Sequence, residues 1–339
     1  MNQSKNIKEL SEFCNKVGKD ILLVQGVGGN VSYKSNDKLI IKASGVSLKD
    51  ALNNNIFVNI NLNTFNTSFR QGKNLKNINI DFDDKSNVRP SMETLMHIVI
   101  KHKFVIHLHA IEALTYLVRN SAEQDLSRKI NFTDNYLIID YKMPGEDLAM
   151  EIFEKLKNQS KKINIFLLKN HGIIFSGDCL SEIYLDLCKF LRVLKTKPKR
   201  FKKVNKDLKK KITKHHTLIT DSRLMKLVFD EKLFWCLNNR WNLFPDQTVF
   251  LGSKPNIFNS LKEFLEIAHK MQNSFELVFI KNEGIFVKKS FDTNKLEQLK
   301  CFYEILIRQE NFSKICTIPK KDIEKLVNSK DEKYRVALN

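Results

Sequence analysis

No apolar run in this 339-residue chain approaches the roughly 18 residues that a membrane-spanning helix needs. The opening stretch MNQSKNIKEL has no apolar segment of the kind a secretory leader carries. A soluble, cytoplasmic protein with no membrane partner is therefore the expectation. The six cysteines (Cys14, Cys179, Cys188, Cys236, Cys301, Cys316) form no Cys-x-x-Cys pair. That excludes the paired-thiol zinc and redox motifs and leaves buried, reduced thiols as the default. Acidic residues are in short supply: 38 Asp and Glu stand against 57 Lys and Arg, for a formal charge of +19. Such a charge suits a phosphate-rich partner such as nucleic acid or a phosphorylated metabolite. It follows equally from composition, because Lys and Asn are abundant along the whole chain while Ala and Gly are scarce. The densest basic cluster, KTKPKRFKKVNKDLKKKITKHH from Lys195 to His216, has Phe201 as its sole aromatic. It reads as a solvated linker or helix face, and no specific nucleic-acid partner is expected.

What is present is enough for two domains, with 42% hydrophobic residues to fill their cores. IKELSEFCNKVGKD, SMETLMHIVIKH (with Ser91 as N-cap), IEALTYLVRN, GEDLAMEIFEKLKN and CLSEIYLDLCKFLRVLK carry helical spacing. NVSYKSNDKLIIKAS, IFVNINL, FVIHLHA, NYLIIDY and INIFLLKNHGIIFSG read as strands, two of these segments as hairpins. Residues 62–88, rich in Asn, Lys and Asp, read as a loop or irregular excursion. The alternation predicts a three-layer α/β sandwich with a mixed or largely antiparallel sheet, followed by a smaller C-terminal α/β region. There, DSRLMKLVFDEKLFWCLN, SLKEFLEIAHKM and TNKLEQLKCFYEILIRQ read as helices, and TVFLG, ELVFI and GIFVK as strands. Two segments nearly repeat, FLLKNHGIIF (Phe166–Phe175) and VFIKNEGIFV (Val278–Val287), each followed by a helix that keeps a Phe in step (Phe190, Phe302). His171 of the first stands against Glu283 of the second. A partial internal duplication is the reading. The expected division is residues 1–197, a basic linker at 198–214, and a smaller domain at 215–339.

The chemistry concentrates in a few histidines. In a strand, residues i and i+2 share a face, so His107 and His109 of HLH can converge on one ion. The alternative is a pair of histidines satisfied by hydrogen bonds on a half-exposed face. His171, at a tight turn between strands, is placed to aim into a cleft. Glu93, at the start of a helix, is a candidate ligand or base. His97, one turn later, reads as a supporting or packing group. Catalytic Glu283 is a minor alternative.

The order GVGGNVS, KASG, RPSMET, HLHA, KNHGIIFSGD resembles the class II aldolase/adducin family, which includes fuculose- and rhamnulose-phosphate aldolases, over roughly residues 6–195. The resemblance implies the α/β/α form of the sandwich around a mostly antiparallel central sheet, and a Zn²⁺ held by His107, His109 and His171, with another divalent metal as the alternative. It implies Glu93 as catalytic acid/base, and a substrate or phosphate pocket at Gly29, Asn30, Ser44, Gly45 and Ser91. The implied activity is that of a zinc-dependent lyase: reversible retro-aldol cleavage of a sugar or ketose phosphate through a metal-stabilised enediolate. A homo-oligomer, with a tetramer expected, comes with the family.

Departures are visible too. Met92 stands where many of the aldolases have a second serine, which removes one phosphate ligand. Lys42 precedes the Ala-Ser-Gly turn, where the sugar-phosphate aldolases usually lack a cation; it either pairs with an anionic substrate or lies on the surface. For a tyrosine proton donor, Tyr116 and Tyr136 are candidates by proximity alone. LFPDQTVFLGSKP resembles a segment that follows the aldolase domain in larger, fused members, and residues 215–339 are expected to serve packing, oligomerisation or substrate coverage. An epimerase or dehydratase would use the same histidines. A non-catalytic adducin-like interaction module, which usually loses the ligand histidines, is the reading from another class.

Overall fold

A computed structural model describes residues 2–71, 80–82, 88–201, 212–270 and 274–339. Much of the expected basic linker (202–211) and of the 62–88 excursion (72–79, 83–87) lies outside those residues. No helix among the described residues is long and apolar enough to cross a membrane.

The first region is built on eight strands: β1 (Asn30–Ser35), β2 (Lys38–Lys42), β3 (Phe57–Asn61), β4 (Asp81–Phe82), β5 (Phe104–Leu108), β6 (Tyr136–Ile139), β7 (Ile165–Leu168) and β8 (Gly172–Gly177). They lie in the order β4-β3-β2-β1-β5-β8-β7-β6, and every pair is antiparallel except β6–β7. Both faces are covered. Helices α1 (Asn2–Gly18), α4 (Ile111–Leu117), α5 (Ala122–Lys129) and α7 (Leu180–Leu194) pack on one, joining Ile106, Leu108, Ile173 and Phe175. Helices α2 (Leu62–Arg70), α3 (Thr94–Val99) and α6 (Glu146–Lys157) pack on the other, with Val105, Phe166, Leu168 and Ile174. The period-2 alternation of apolar residues along β5, β7 and β8 feeds both cores at once. This is the three-layer sandwich expected.

The second region holds β9 (His216–Leu218), β10 (Asn256–Phe258), β11 (Leu277–Ile280) and β12 (Gly284–Lys288), in the order β10-β11-β12-β9. Around them lie α8 (Lys226–Phe229), α9 (Glu231–Asn239), α10 (Pro245–Leu251), α11 (Leu261–Lys270), α12 (Thr293–Ile307), α13 (Lys320–Asn328) and α14 (Lys330–Ala337). Its larger core reaches into the first region, where Ile111, Leu114 and Val118 from α4 and its C-cap join Leu227, Phe244, Phe279 and Phe302.

The four strands β5-β8-β7-β6 and the four strands β9-β12-β11-β10 share order and direction, including one parallel pair beside an antiparallel hairpin. Both hairpins turn through an Asn with positive φ, Asn170 (53°) and Asn282 (56°). His107 pairs with Ile174, and Leu218 with Phe286, the residue that matches Ile174 in the repeat. Leu218 thus stands where the first sheet has His107, as Glu283 stands where it has His171.

Several local expectations fail for physical reasons. TVFLG belongs to α10, because Pro245 occupies its first turn with its missing N–H at no loss. Residues 62–70 form α2 despite weak propensity, held by buried Leu62 and Phe65 and by Asn61, whose side chain accepts from Asn63 N. The helix predicted through DSRLMKLVFDEKLFWCLN breaks at Asp230, whose carboxylate caps α9 by accepting from the Lys232 and Leu233 amides at 3.0 Å. The N-cap position of α3 belongs to Glu93 rather than Ser91, whose hydroxyl accepts from Glu93 N at 3.2 Å.

Candidate metal centre

β5 ends at Leu108, so His107 sits within the strand and His109 just beyond it. The β7–β8 turn brings His171 against both, with ring centroids 4.8 Å from His107 and 5.6 Å from His109. All three imidazoles are buried, and one nitrogen from each lies within 4.8 Å of the others. Two glycines permit the approach. A side chain at Gly28 would meet Asp246 Oδ2 at 2.7 Å and His109 Nδ1 at 2.9 Å; one at Gly29 (φ +62°) would meet the His107 carbonyl oxygen at 2.9 Å.

A hydrogen bond settles which nitrogen His107 offers. The carbonyl of Ile173 lies 3.1 Å from His107 Nδ1 and can only accept, so Nδ1 carries the proton and Nε2 presents a lone pair. Asp246 Oδ2 faces His109 Nδ1 at 3.3 Å and favours the same tautomer there. The two Nε2 atoms stand 3.2 Å apart. With a proton on His109 Nε2 this contact is a hydrogen bond to His107; with that proton on Nδ1, facing Asp246, two lone pairs meet and a cation between them would relieve the repulsion. Nitrogens around a tetrahedral zinc at about 2.0–2.1 Å stand about 3.3 Å apart. Three neutral imidazoles are thus a donor set that fits a borderline divalent cation such as Zn²⁺.

Glu93 closes the group. Its Oε2 lies 3.5 Å from His107 Nε2, and its Oε1 lies 3.3 Å from His171 Nε2. Glu93 Oε1 and His171 Nδ1 are buried without a hydrogen-bond partner. Burial works to raise the Glu93 pKa, but His107, His171 and the Asn30 hydrogen bond outweigh it and hold it at about 2. Burial also lowers the His107 pKa and brings that of His171 to about 3, against the pull of Glu93. At neutral pH Glu93 is a carboxylate facing the uncharged rings of His107 and His171.

Asn30 positions that carboxylate. Its Nδ2 donates to Glu93 Oε2 at 2.7 Å and to Ser91 Oγ at 3.2 Å. Its Oδ1 accepts from His97 Nε2, whose ring is set in turn by Ser32 Oγ at 2.7 Å from Nδ1. His97 is therefore the orienting group for the Asn30 amide.

Gly29, Asn30, Ser44, Gly45 and Ser91 all line one cavity beside Glu93, His109 and His171. So does Lys42, which is buried rather than on the surface: its ammonium donates to Val27 O at 2.9 Å and Val46 O at 2.8 Å. Tyr116 and Tyr136 line no part of this cavity; Tyr116 is buried in the core beneath Arg119. Glu283 belongs to the second hairpin and does not line this cavity.

Three charged residues of the second region, beside Pro245, complete the wall and escaped the sequence reading: Asp246, Glu332 and Arg335. Arg335 pairs with Asp246 Oδ1, and its Nε lies 2.9 Å from Glu332 Oε2. Burial pushes the Asp246 carboxyl up, but Arg335 and His109 hold it far below the usual carboxylate range. Pro245 at a helix start was the one legible signal. Asn170, next to His171, ties the regions together by donating to Leu243 O and Cys316 O at 2.9 Å each.

Residues 8–196 match the family described as Class II Aldolase and Adducin N-terminal domain. The chain is 24% identical over 194 residues to "Uncharacterized oxidoreductase YuxG" of Bacillus subtilis (strain 168), a stretch that covers 53% of this chain and 28% of that relative's length. Among solved structures, the N-terminal class II aldolase domain of a conserved protein from Thermoplasma acidophilum is 25% identical, with a TM-score of 0.46, covering 56% of this chain and 91% of that one. A sugar-phosphate aldolase from Thermotoga maritima is 12% identical, with a TM-score of 0.46 and coverage of 57% and 94%. L-fuculose-1-phosphate aldolase from Thermus thermophilus is 18% identical, with a TM-score of 0.37 and coverage of 55% and 91%.

Proposed function

Because the chain belongs to the class II aldolase and adducin family through residues 8–196, we propose that it is a zinc-dependent lyase that cleaves a sugar or ketose phosphate by reversible retro-aldol chemistry. The observation that carries this reading is the buried triad His107, His109 and His171 with the Glu93 carboxylate against it. The three histidines would hold the metal, which supplies a Lewis acid for the substrate's carbonyl and hydroxyl oxygens. Glu93 is the acid/base: its ionised carboxylate takes a proton and returns it at the substrate carbon next to the carbonyl. Asn30 holds one oxygen of that carboxylate, while the other has no hydrogen-bond partner and stands 3.3 Å from His171 Nε2. Backbone amides at Gly29 and Gly45, both with positive φ, and the hydroxyls of Ser44 and Ser91 would take the substrate's anionic group.

We further propose the division into residues 1–197, a linker at 198–214, and 215–339, with the last contributing Asp246 and Arg335 to the site, and a homo-oligomeric assembly. Elemental analysis of the purified protein tests the reading. About one zinc per chain, lost in the double variant His107→Ala, His109→Ala, supports it; ketose phosphates are then screened for aldehyde release. No metal after zinc is added back and dialysed sinks it and leaves the non-catalytic interaction module. An epimerase or dehydratase on the same residues is separated by product identity.

A further inference from the structure

The cavity beside Glu93, His109 and His171 has a free volume of about 20 Å³, room for about one water. No sugar fits it as it stands. The side that closes it is α14, which contributes Glu332 and Arg335 to its wall. We propose that α14 is an in-chain plug: an autoinhibitory helix that must lift before any substrate reaches the proposed pocket.

Four contacts seat the helix over the pocket. Arg335 pairs with Asp246, whose other oxygen faces His109. Tyr334 lies under the Arg89 guanidinium at 4.5 Å. Leu338, just past the helix, packs on Gly45, where a side chain at that glycine would meet Leu338 Cδ1 at 2.6 Å. Asn339 Nδ2 donates to Gly45 O at 3.3 Å. Gly45 and Ser44 are pocket residues, so the helix and its C-cap cover the surface a ligand would use. The Glu332 carboxylate stands in that same wall, 2.9 Å from Arg335 Nε. Its carboxyl group takes up part of the wall where the proposed pocket would hold the substrate's anionic group.

Apart from the buried Arg335–Asp246 pair, the attachment is light. Glu332 is the one buried residue of α14, and Leu338 is 51% exposed. A segment held by polar contacts with little buried apolar surface opens far more readily than a core helix. The contrast with α12, which buries Leu299, Phe302, Ile305 and Leu306, is direct. Opening also draws Arg335 away from Asp246, so the plug and the histidine site are mechanically linked.

The identity of the excluded ligand rests on the reading above; the closure does not. The test uses metal-free full-length protein carrying Ser44→Cys, alkylated with iodoacetamide and followed by peptide mass spectrometry. Buried Cys14 and exposed Cys316 serve as internal standards. The introduced thiol is expected to react at least about tenfold more slowly than Cys316 in the full chain, and about as fast as Cys316 when the chain stops after Asn328, because access scales with the open population. A second full-length variant, Tyr334→Ala with Leu338→Ala, should give an intermediate rate. It decides the matter if truncation also exposes Cys14. Equal rates in the closed and opened forms overturn the plug. Because labelling needs no metal, that failure is distinct from failure of the zinc assay.

Discussion

Asp246 Oδ2 stands 3.3 Å from His109 Nδ1, so a carboxylate on a helix of the second region faces the imidazole that ends the His-x-His strand of the first. Gly28 lets this happen, since any side chain there would collide with both groups. Arg335 holds the other carboxylate oxygen. Among the described residues the second region brings no such histidine group together, yet it supplies the group that faces a histidine of the first. A carboxylate behind a ligand imidazole fixes the ring and raises its basicity toward a cation.

Asp246→Asn is therefore expected to weaken zinc binding about 10- to 100-fold, read by competition with a chromogenic chelator. It also takes from buried Arg335 one of its two carboxylate partners, with Glu332 remaining at 2.9 Å, a loss of up to about 3–5 kcal/mol for a broken buried pair. The double variant Asp246→Asn, Arg335→Met should recover much of that stability without recovering affinity. Unchanged affinity in Asp246→Asn would remove Asp246 from the site.

The repeated hairpins give an internal control. A side chain at Gly172 would land inside contact distance of the Leu108 carbonyl oxygen and 3.2 Å from His109 Cδ2. At Gly284 the nearest atom is Leu218 Cδ1, the far end of a movable side chain. Gly172→Ala should destabilise by about 2–4 kcal/mol and Gly284→Ala by roughly half as much, measured by urea unfolding. Matching losses would show that the backbone at Leu108 yields as easily as a leucine side chain.

The first region was legible because its signals are local. HLH, KNHG and RPSME each place a candidate residue within a few positions of the turn or strand that aims it, and apolar alternation wrote the sheet around them. The hairpin repeat was legible for the same reason: Asn-x-Gly dictates the turn at Asn170 and at Asn282. Asp246 was not, because its partner is His109 and nothing within its own segment marks it. The apolar TVFL run beside it mimics a strand unless the preceding Pro245 is weighed as a helix start. The α14 segment KDEKYRVA reads as solvated surface, since its contacts with the site run through charged side chains. Lys42 was half legible: the cation was noticed, but only the fold shows that two backbone carbonyls receive it in the interior.

Burial lowers the Lys42 pKa to about 7, with Arg335 adding to the fall and Asp246, Cys14 and Glu93 opposing it. Burial alone brings Lys34 to about 7, where its ammonium donates to Ile100 O at 2.6 Å and His102 O at 3.1 Å. In the unfolded chain both titrate at about 10.4. Between about pH 7 and 10 the unfolded chain therefore binds more protons, and stability rises with pH by up to about 1.4 kcal/mol per unit for each lysine. Lys42→Met should remove about half of that slope in urea titrations at pH 7, 8 and 9. A slope unchanged from wild type would place the Lys42 charge in solvent.

Glu93→Gln separates holding the metal from moving the proton. The substitution keeps the shape and the acceptor for Asn30 Nδ2, while the three imidazole nitrogens stay in place. Zinc content should remain near one per chain, while turnover of whichever ketose phosphate proves active falls about 10²- to 10⁴-fold. The acid side offers a check that needs no substrate. Glu93 has a folded pKa of about 2, below the roughly 4.3 of an unfolded glutamate, so its charge stabilises the fold above that value. The contribution is lost as pH falls from about 4.3 toward 2. Glu93→Gln should lack this loss in metal-free acid unfolding while showing the turnover defect in the zinc-loaded protein. Full turnover with an altered acid transition would make Glu93 a structural partner of His171 and move the acid/base role elsewhere.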